Sequence, residues 1–364
     1  MVYGLVGCVF DHNKIGRYVA CGDGYTYILK NDRSVWSYGG NTFGQLGIGS
    51  SGGSSGCSQV NNNVRQIACG NYHTMILKND GSLWACGSNT YGQLGLGDAN
   101  HRSTFTQVTT NINNDVKQVY CGGDHTYILK NDGSVWACGD NSSGQLGLGT
   151  TTTKIKNTFT QVTTNISDVK QIACGDSHII ILKNDGSLWS CGNDGYGQLG
   201  LGGTANRSIF TQVTTNINND VKQIACGSIN TIILKNDGSL WGCGYNGYGQ
   251  LGIGNITTRS SFYKITTNIN NDVKQVVCGG ESTFILKNDG SIWACGNNSK
   301  GQLGLGHNAS KSTFTQVTAN INNDVIQIDC GDDYSTLVKI DGSVLGAGYI
   351  NSTSSYTFSY ITSL

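Results

Sequence analysis

Fourteen cysteines and a set of histidines in one register are the residues of this chain best suited to metal, redox or nucleophilic chemistry. Seven of the cysteines stand in Cys-Gly pairs, at Cys21, Cys69, Cys121, Cys174, Cys226, Cys278 and Cys330. Five more close a Trp-x-Cys-Gly run, at Cys86, Cys138, Cys191, Cys243 and Cys295, and only Cys8 and Cys57 fall outside both positions. Within a unit the two positions lie 17 residues apart, without the C-x2-C pairing of zinc sites. The thiols are expected to be small buried hydrophobes kept reduced in a cytoplasmic setting. His73, His125 and His178 repeat one position in consecutive units. Equivalent positions in neighbouring units are too far apart to share a metal at about 2 Å, and each imidazole is expected to hydrogen-bond its own turn. No nucleophile, base and orienting acid stand out, and the Gly-Gln-Leu-Gly-Leu-Gly run precedes no helix, so it is not a phosphate loop. The expectation is no enzyme, no metal and no cofactor.

The elements behind these residues are copies of one unit. Each reads V-K-Q-I-A-C-G, a short turn, H-T-Y-I-L-K, N-D-G-S, V-W-A-C-G, an excursion through G-Q-L-G-L-G, then F-T-Q-V-T-T-N-I-N-N-D, repeating about every 52 residues over residues 1–364 as a single domain. Residues 116–121 alternate apolar and polar, and 125–130 form a β-branched and aromatic run of strand length. Asp-Gly in Asn131 to Ser134 supplies the positive φ of a tight hairpin turn, whereas Arg33 replaces that glycine in the first unit and predicts strain or a different turn there. Four strands per unit and seven units predict an all-β, seven-bladed β-propeller with four antiparallel strands per blade. The last copy decays: Leu345-Gly346-Ala347-Gly348 replaces Trp-Ala-Cys-Gly and no Gly-Gln-Leu-Gly follows, although Phe358 to Ile361 still matches the outer strand. With a spare apolar stretch at 3–10, the ring is expected to close by pairing of terminal strands, which removes exposed edges.

The combination in Cys121 to Thr126, Asp132 to Trp136, Cys138-Gly139 and Gly144 to Gly149 resembles the repeat of the regulator-of-chromosome-condensation family, in order through nearly the whole chain. The resemblance implies a seven-bladed propeller but no single function, because members serve as a nucleotide-exchange factor for a small GTPase, a plant ultraviolet-B photoreceptor and a bacterial β-lactamase inhibitor. The photoreceptor uses tryptophans in the turn after Cys-Gly. Here all six, Trp36, Trp84, Trp136, Trp189, Trp241 and Trp293, stand in the third strand. The exchange factor relies on an insertion that these uniform units lack. Gripping a protein with the loops of one face demands no fixed residue.

Charged residues make up 13% of the chain, and the net charge is zero. That balance argues against general affinity for nucleic acid or membranes. No long apolar span or charged leader appears, so a cytoplasmic protein is expected. The absence of proline, with plentiful Asn, Ile and Lys, fits codon bias in a low-GC bacterium or its phage.

Comparison among the units places nearly all variation on one face, formed by the turns after Cys-Gly and the excursions after Trp-x-Cys-Gly, because alternate connections of antiparallel strands share a side. That face carries the expected binding residues Tyr25, Tyr72, Asp124, Asp176, Glu281, Asp332, Asp333, Tyr334, Phe43, Tyr91, Tyr196 and Tyr248: acids and aromatic anchors. Arg102, Lys154, Lys156, Arg207, Arg259, Lys300 and Lys311 are expected to form a basic rim around that acidic centre. On the invariant face Lys30, Lys78, Lys130, Lys183, Lys235, Lys287 and Lys339 are expected to form a solvated ring paired with the Asp of Asp-Gly-Ser. These features predict a non-enzymatic scaffold that binds a protein through the variable face. A glycan-recognition module of a phage or cell surface, and an inhibitor or regulator of an enzyme or small GTPase, are the alternatives.

Overall fold

The computed structural model describes residues 18–52, 54–350 and 353–361. Among them the chain forms seven sheets, each of four consecutive antiparallel strands. Blade three is typical: Val116–Cys121, His125–Lys130, Val135–Asp140 and Ile155–Val162, innermost first. Its hairpin turn holds Gly133 at φ 83°, and the equivalent Arg33 of blade one sits at φ 65°, the left-handed conformation the sequence predicted to be strained. In each Asp-Gly-Ser turn the Asp carboxylate accepts the Ser backbone N–H, as Asp132 does from Ser134 at 2.8 Å. The Trp136 indole then donates to the Ser134 hydroxyl at 2.9 Å.

A lone four-stranded sheet leaves both faces wet, and the core accordingly lies between blades. Met75, Leu77, Leu83, Leu94 and Val108 of blade two, for example, cluster with Val116, Val119, Ile128, Cys138 and Phe159 of blade three. Each such side chain contributes about 1.5–3 kcal/mol when fully buried.

Three devices lock a blade to its successor. The first is the glycine of Cys-Gly. A Cβ on any of the seven would lie 2.5 to 2.7 Å from the matching glycine carbonyl of the next blade, so a closed ring of glycines sets the inner radius. The second is the excursion, which straps the following blade: Gly97 N–H donates to Asn157 O at 2.8 Å, and Gly95 lies so close to Phe159 that a Cβ would approach its ring to 2.5 Å. Six straps of this kind run from blades one to six onto the outer strands of blades two to seven. The third comes from the opposite face, where Asn111, Asn165, Asn216, Asn268 and Asn320 amides donate to the carbonyls of Phe159, Phe210, Phe262, Phe314 and Phe358. Phe358 thus keeps the outer-strand role in the decayed last unit.

The expected closure of the ring by terminal strand pairing falls in part outside the described residues. Among the described residues no sheet combines strands from the two ends, and the stretch at 3–10 lies outside the described residues. Side chains bridge the seam. Gln327 exchanges hydrogen bonds with the Val19 backbone at 3.3 and 2.9 Å, Asp329 accepts Cys21 N–H at 2.8 Å, and Tyr334 donates to Tyr25 O.

The expectation for the invariant-face lysines is corrected. Lys130, Lys235, Lys287 and Lys339 are buried, and each ammonium pairs at 3.1 Å with the Asp closing the preceding loop, Asp115, Asp220, Asp272 or Asp324, not with Asp-Gly-Ser. From Lys30 to Lys287 the six lysines with a tryptophan in their unit lie 4.1 to 4.6 Å above its ring. They form clasps between turn and strand rather than a solvated ring.

Candidate functional site

The twelve described Cys-Gly and Trp-x-Cys-Gly cysteines are free. Their thiols point into the seams: Cys121 donates to Ala68 O and Cys138 to Gln93 O, both at 3.5 Å and both in the preceding blade. Burial pushes these thiols up, which removes the thiolate that redox or metal chemistry needs. Among the described residues no group of three or more His, Cys, Asp or Glu could hold a metal.

The histidines are also seam parts, contrary to the expectation that each serves its own turn. His73 and His178 are fully buried and reach the hydroxyls of Thr126 and Thr231 in the following blade, at 3.0 and 3.1 Å. Burial lowers both to about 3, so both are neutral imidazoles. Tyr25 and Tyr334 occupy the same position in their units and are likewise buried; Tyr25 donates to Gly70 O and His73 O at 3.0 and 2.6 Å. These two tyrosines therefore leave the set of expected surface anchors. They wedge adjacent blades apart at the depth of the glycine ring.

The other predicted residues meet around the axial mouth or on its rim. The mouth is lined by the ends of all seven inner strands, with Asp23, Asn71, Gly123, Asp176, Ser228, Gly280 and Asp332 uppermost. Six backbone hydrogen bonds of 3.1 to 3.3 Å link successive turns around it, including Asp176 N–H to Ser228 O. This rigid ring presents half-buried acids. Asp332 is pushed up to about 7, first by burial and then by Asp176, Asp23, Asp333 and Glu281. Asp124 rises to about 6 through burial and the charges of Asp140 and Asp176, although Gln93 donates to it at 2.8 Å. Asp176 rises for the same first cause, partly offset by hydrogen bonds from Ser228 and Asn71. None of Asp23, Asp124, Asp176, Glu281, Asp332 and Asp333 has a Lys or Arg salt-bridge partner among the described residues.

Two aromatic patches flank the mouth. Over blades one and two Phe43 packs on Tyr72 at 5.3 Å and on His101 at 5.1 Å, and the Tyr72 hydroxyl donates to Asp23. Over blades four and five Tyr196, Tyr245 and Tyr248 form a run with centroid separations of 5.0 and 6.2 Å. Tyr91, Tyr196 and Tyr248 are exposed. The basic rim is partly self-engaged: Arg102 pairs with Asp98 at 2.6 Å, Arg207 donates to Ala205 O, and Arg259 stacks on Tyr263. Asn71, Ser228 and His101 were absent from the predicted set. Asn71 and Ser228 share a repeat position with Asp176 and could have been found by that alignment, whereas nothing in the sequence signals His101.

The fold is a seven-bladed β-propeller with a mouth built from loops. The RCC1-like domain model matches residues 105–355, and regulator of chromosome condensation (RCC1) repeat models match 17–45 with 64–93 and 32–77 with 80–129. The chain belongs to this family. It is similar to the ultraviolet-B receptor UVR8 of Arabidopsis thaliana, 31% identical over 233 residues, covering 64% of this chain and 53% of the receptor. The human X-linked retinitis pigmentosa GTPase regulator is 31% identical over 279 residues, covering 62% of this chain and 27% of the regulator. The human probable E3 ubiquitin-protein ligase HERC6 is 31% identical, with 64% and 23% covered. The chain thus spans about half or less of the length of these relatives. Among solved structures, human WBSCR16 superposes with a TM-score of 0.77 at 25% identity, covering 89% of this chain and 87% of that one. Yeast Prp20p gives 0.75 at 23%, covering 88% and 82%, and shares the fold. The six tryptophans are held under lysines beside the invariant turns. Among the described residues no helix is long and apolar enough to cross a membrane.

Proposed function

We propose that the protein is a non-enzymatic scaffold whose variable face grips a protein partner, with a basic side chain of that partner entering the acidic mouth and tyrosines anchoring its flanks. The observation that supports this reading is the set of six mouth acids without a cationic salt-bridge partner among the described residues, on turns linked by a hydrogen-bonded ring that holds their charges close. An incoming Lys or Arg would relieve that repulsion, and exposed Tyr91, Tyr196 and Tyr248 supply rigid apolar area beside it. The receptor and GTPase-regulator names of its relatives favour a regulatory binding role over catalysis.

Affinity capture from host lysate identifies the partner, and two variant sets then locate the surface. Asp124, Asp176 and Asp332 changed together to Asn should weaken binding at least about tenfold, as should Tyr196→Ala with Tyr248→Ala. Lys117, Lys222 and Lys274, exposed near the invariant face, should tolerate reversal to Glu. The opposite pattern sinks the proposal. Binding should also strengthen as pH rises from 5 to 8, because Asp332 and Asp124 ionise over that range. Capture of an oligosaccharide on a glycan array, dependent on Tyr196 and Tyr248 but not on the acids, would assign the same face to a glycan.

A further inference from the structure

One excursion differs from its copies at a single buried atom. In five of the six excursions an Asn side chain staples the loop from within. Its Oδ1 accepts a backbone N–H five residues on, and its Nδ2 donates to the carbonyl nine residues on. Asn41 reaches Ser50 O at 2.9 Å, Asn89 reaches Asp98 O at 2.9 Å, Asn141 reaches Thr150 O at 2.7 Å, Asn246 reaches Asn255 O at 2.9 Å, and Asn298 reaches His307 O at 2.7 Å. Blade four has Asp194 there.

Asp194 is fully buried, and half of the staple survives: its Oδ1 accepts Leu199 N–H at 2.9 Å. Its backbone N–H also donates to Asn206 Oδ1 at 2.9 Å. Its Oδ2, standing where the copies carry an NH2, is buried without a hydrogen-bond partner. By the repeat register the group it should meet is the carbonyl of Gly203. An ionised carboxylate would set lone pair against lone pair, whereas a neutral carboxyl has the one hydrogen needed to restore the copies' bond.

We propose that Asp194 is a proton-operated clasp: protonated, it donates from Oδ2 to the Gly203 carbonyl and closes the blade-four excursion, and ionised, it lets residues 203–206 go. Burial raises this carboxyl to about 6, while the Leu199 N–H and the Arg207 charge act in the opposite direction. The facing groups allow such a switch. Among the described residues Arg207 on the outer strand is the one cation acting on it, the Cys243 thiol of the next blade is itself held protonated by burial and by Asp194, and the remaining near residues of the loop are uncharged. Tyr196 follows two residues later, so the clasp borders the larger aromatic patch. Any effect on partner binding rests on the function proposed above, but the clasp itself does not.

The test therefore uses the full chain without a partner. Carboxyl 13C NMR, assigned with Asp194→Asn, follows the titration, and amide hydrogen exchange corrected for intrinsic rates follows residues 199–206 from pH 5 to pH 8. Wild-type protection in this segment should fall about tenfold over that range, with a midpoint matching the carboxyl titration. Asp194→Asn, which restores the residue of the five copies, should hold its protection at both pH values. A variant that keeps the wild-type pH response, or a carboxyl that titrates below pH 5, overturns the proposal. So does calcium chloride that restores protection at pH 8, since a bound cation rather than a proton would then close the loop.

Discussion

Six blade seams carry a strap, and the seventh, between blades seven and one, keeps the glycine ring and the inner-strand glutamine bridge found at other seams without one among the described residues. At the six, a strap from the preceding excursion crosses onto the next outer strand. Among the described residues no strap crosses the seventh, whose last unit lacks Gly-Gln-Leu-Gly. Gln327 to Val19 repeats the bridges of Gln66 to Val119, Gln171 to Ile224 and Gln223 to Val276, and Tyr334 to Tyr25 O repeats Tyr25 to His73 O, so the bond from Cys21 N–H to Asp329 is what this seam adds. Asp329 stands where other units have Ala68, Ala173 or Ala225, so the closing seam gains a hydrogen bond to Cys21 N–H at the cost of burying a carboxyl. Backbone straps hold irrespective of solution conditions, and the bond added here titrates.

What both kinds of seam share is the glycine ring, and breaking it should have the largest effect. Gly122→Val places a side chain within 2.1 Å of the His125 ring and 2.5 Å of Gly175 O, and Gly331→Val meets Tyr334 and Gly22 O as closely. Each should cost at least about 3 kcal/mol in urea unfolding. Gly203→Ala, with open space around it, should cost nearly nothing. Cutting one strap comes next: Gly95→Ala, at φ 69° and against Phe159, should lose about 2–3 kcal/mol, and the closing seam offers no equivalent site.

Asp329→Ala separates the two constructions by pH. Burial raises this carboxyl to about 7 from 3.8, so the folded state keeps a proton that the unfolded chain releases. Its contribution is fully present at acid pH and is lost as pH rises toward 7. Unfolding free energies at pH 5 and pH 8 should move in the variant's favour at the higher value. An unchanged difference between wild type and variant would place Asp329 outside the closing seam's energetics. The smallest effects are expected from Tyr334→Phe and Tyr25→Phe, one at each kind of seam, at about 1 kcal/mol each by thermal unfolding.

The ring was readable in the sequence because every blade repeats the same alternation and the same Asp-Gly turn, so seven weak signals add. The mouth acids were readable for the related reason that they interrupt the repeat. Tyr25 and Tyr334 misled because variability among copies has two sources. A position facing solvent varies freely, but so does this wedge between two blades, where Tyr25 and His73 alike meet a threonine of the next blade, Thr74 and Thr126. The lysine clasps were missed because their partner, Asp115 in blade three, lies at the far end of the unit from Asp-Gly-Ser and is brought back by the turn of the chain. Of the closing bonds, Gln327 to Val19 follows the repeat, as Gln66 to Val119 does, whereas Cys21 N–H to Asp329 is specific to this seam and no repeat pattern encodes it.

The straps also carry a direction, since each reaches forward from one blade to the next. During synthesis the excursion of a blade leaves the ribosome before the outer strand it will hold, so every new sheet arrives at a dock already built by its predecessor. The contacts that fold the first six seams are close in sequence and become available in order, while the glycine ring and the Gln327 and Tyr334 bridges wait for blade seven. The protein is therefore built to grow as an arc and to become a circle in one final step.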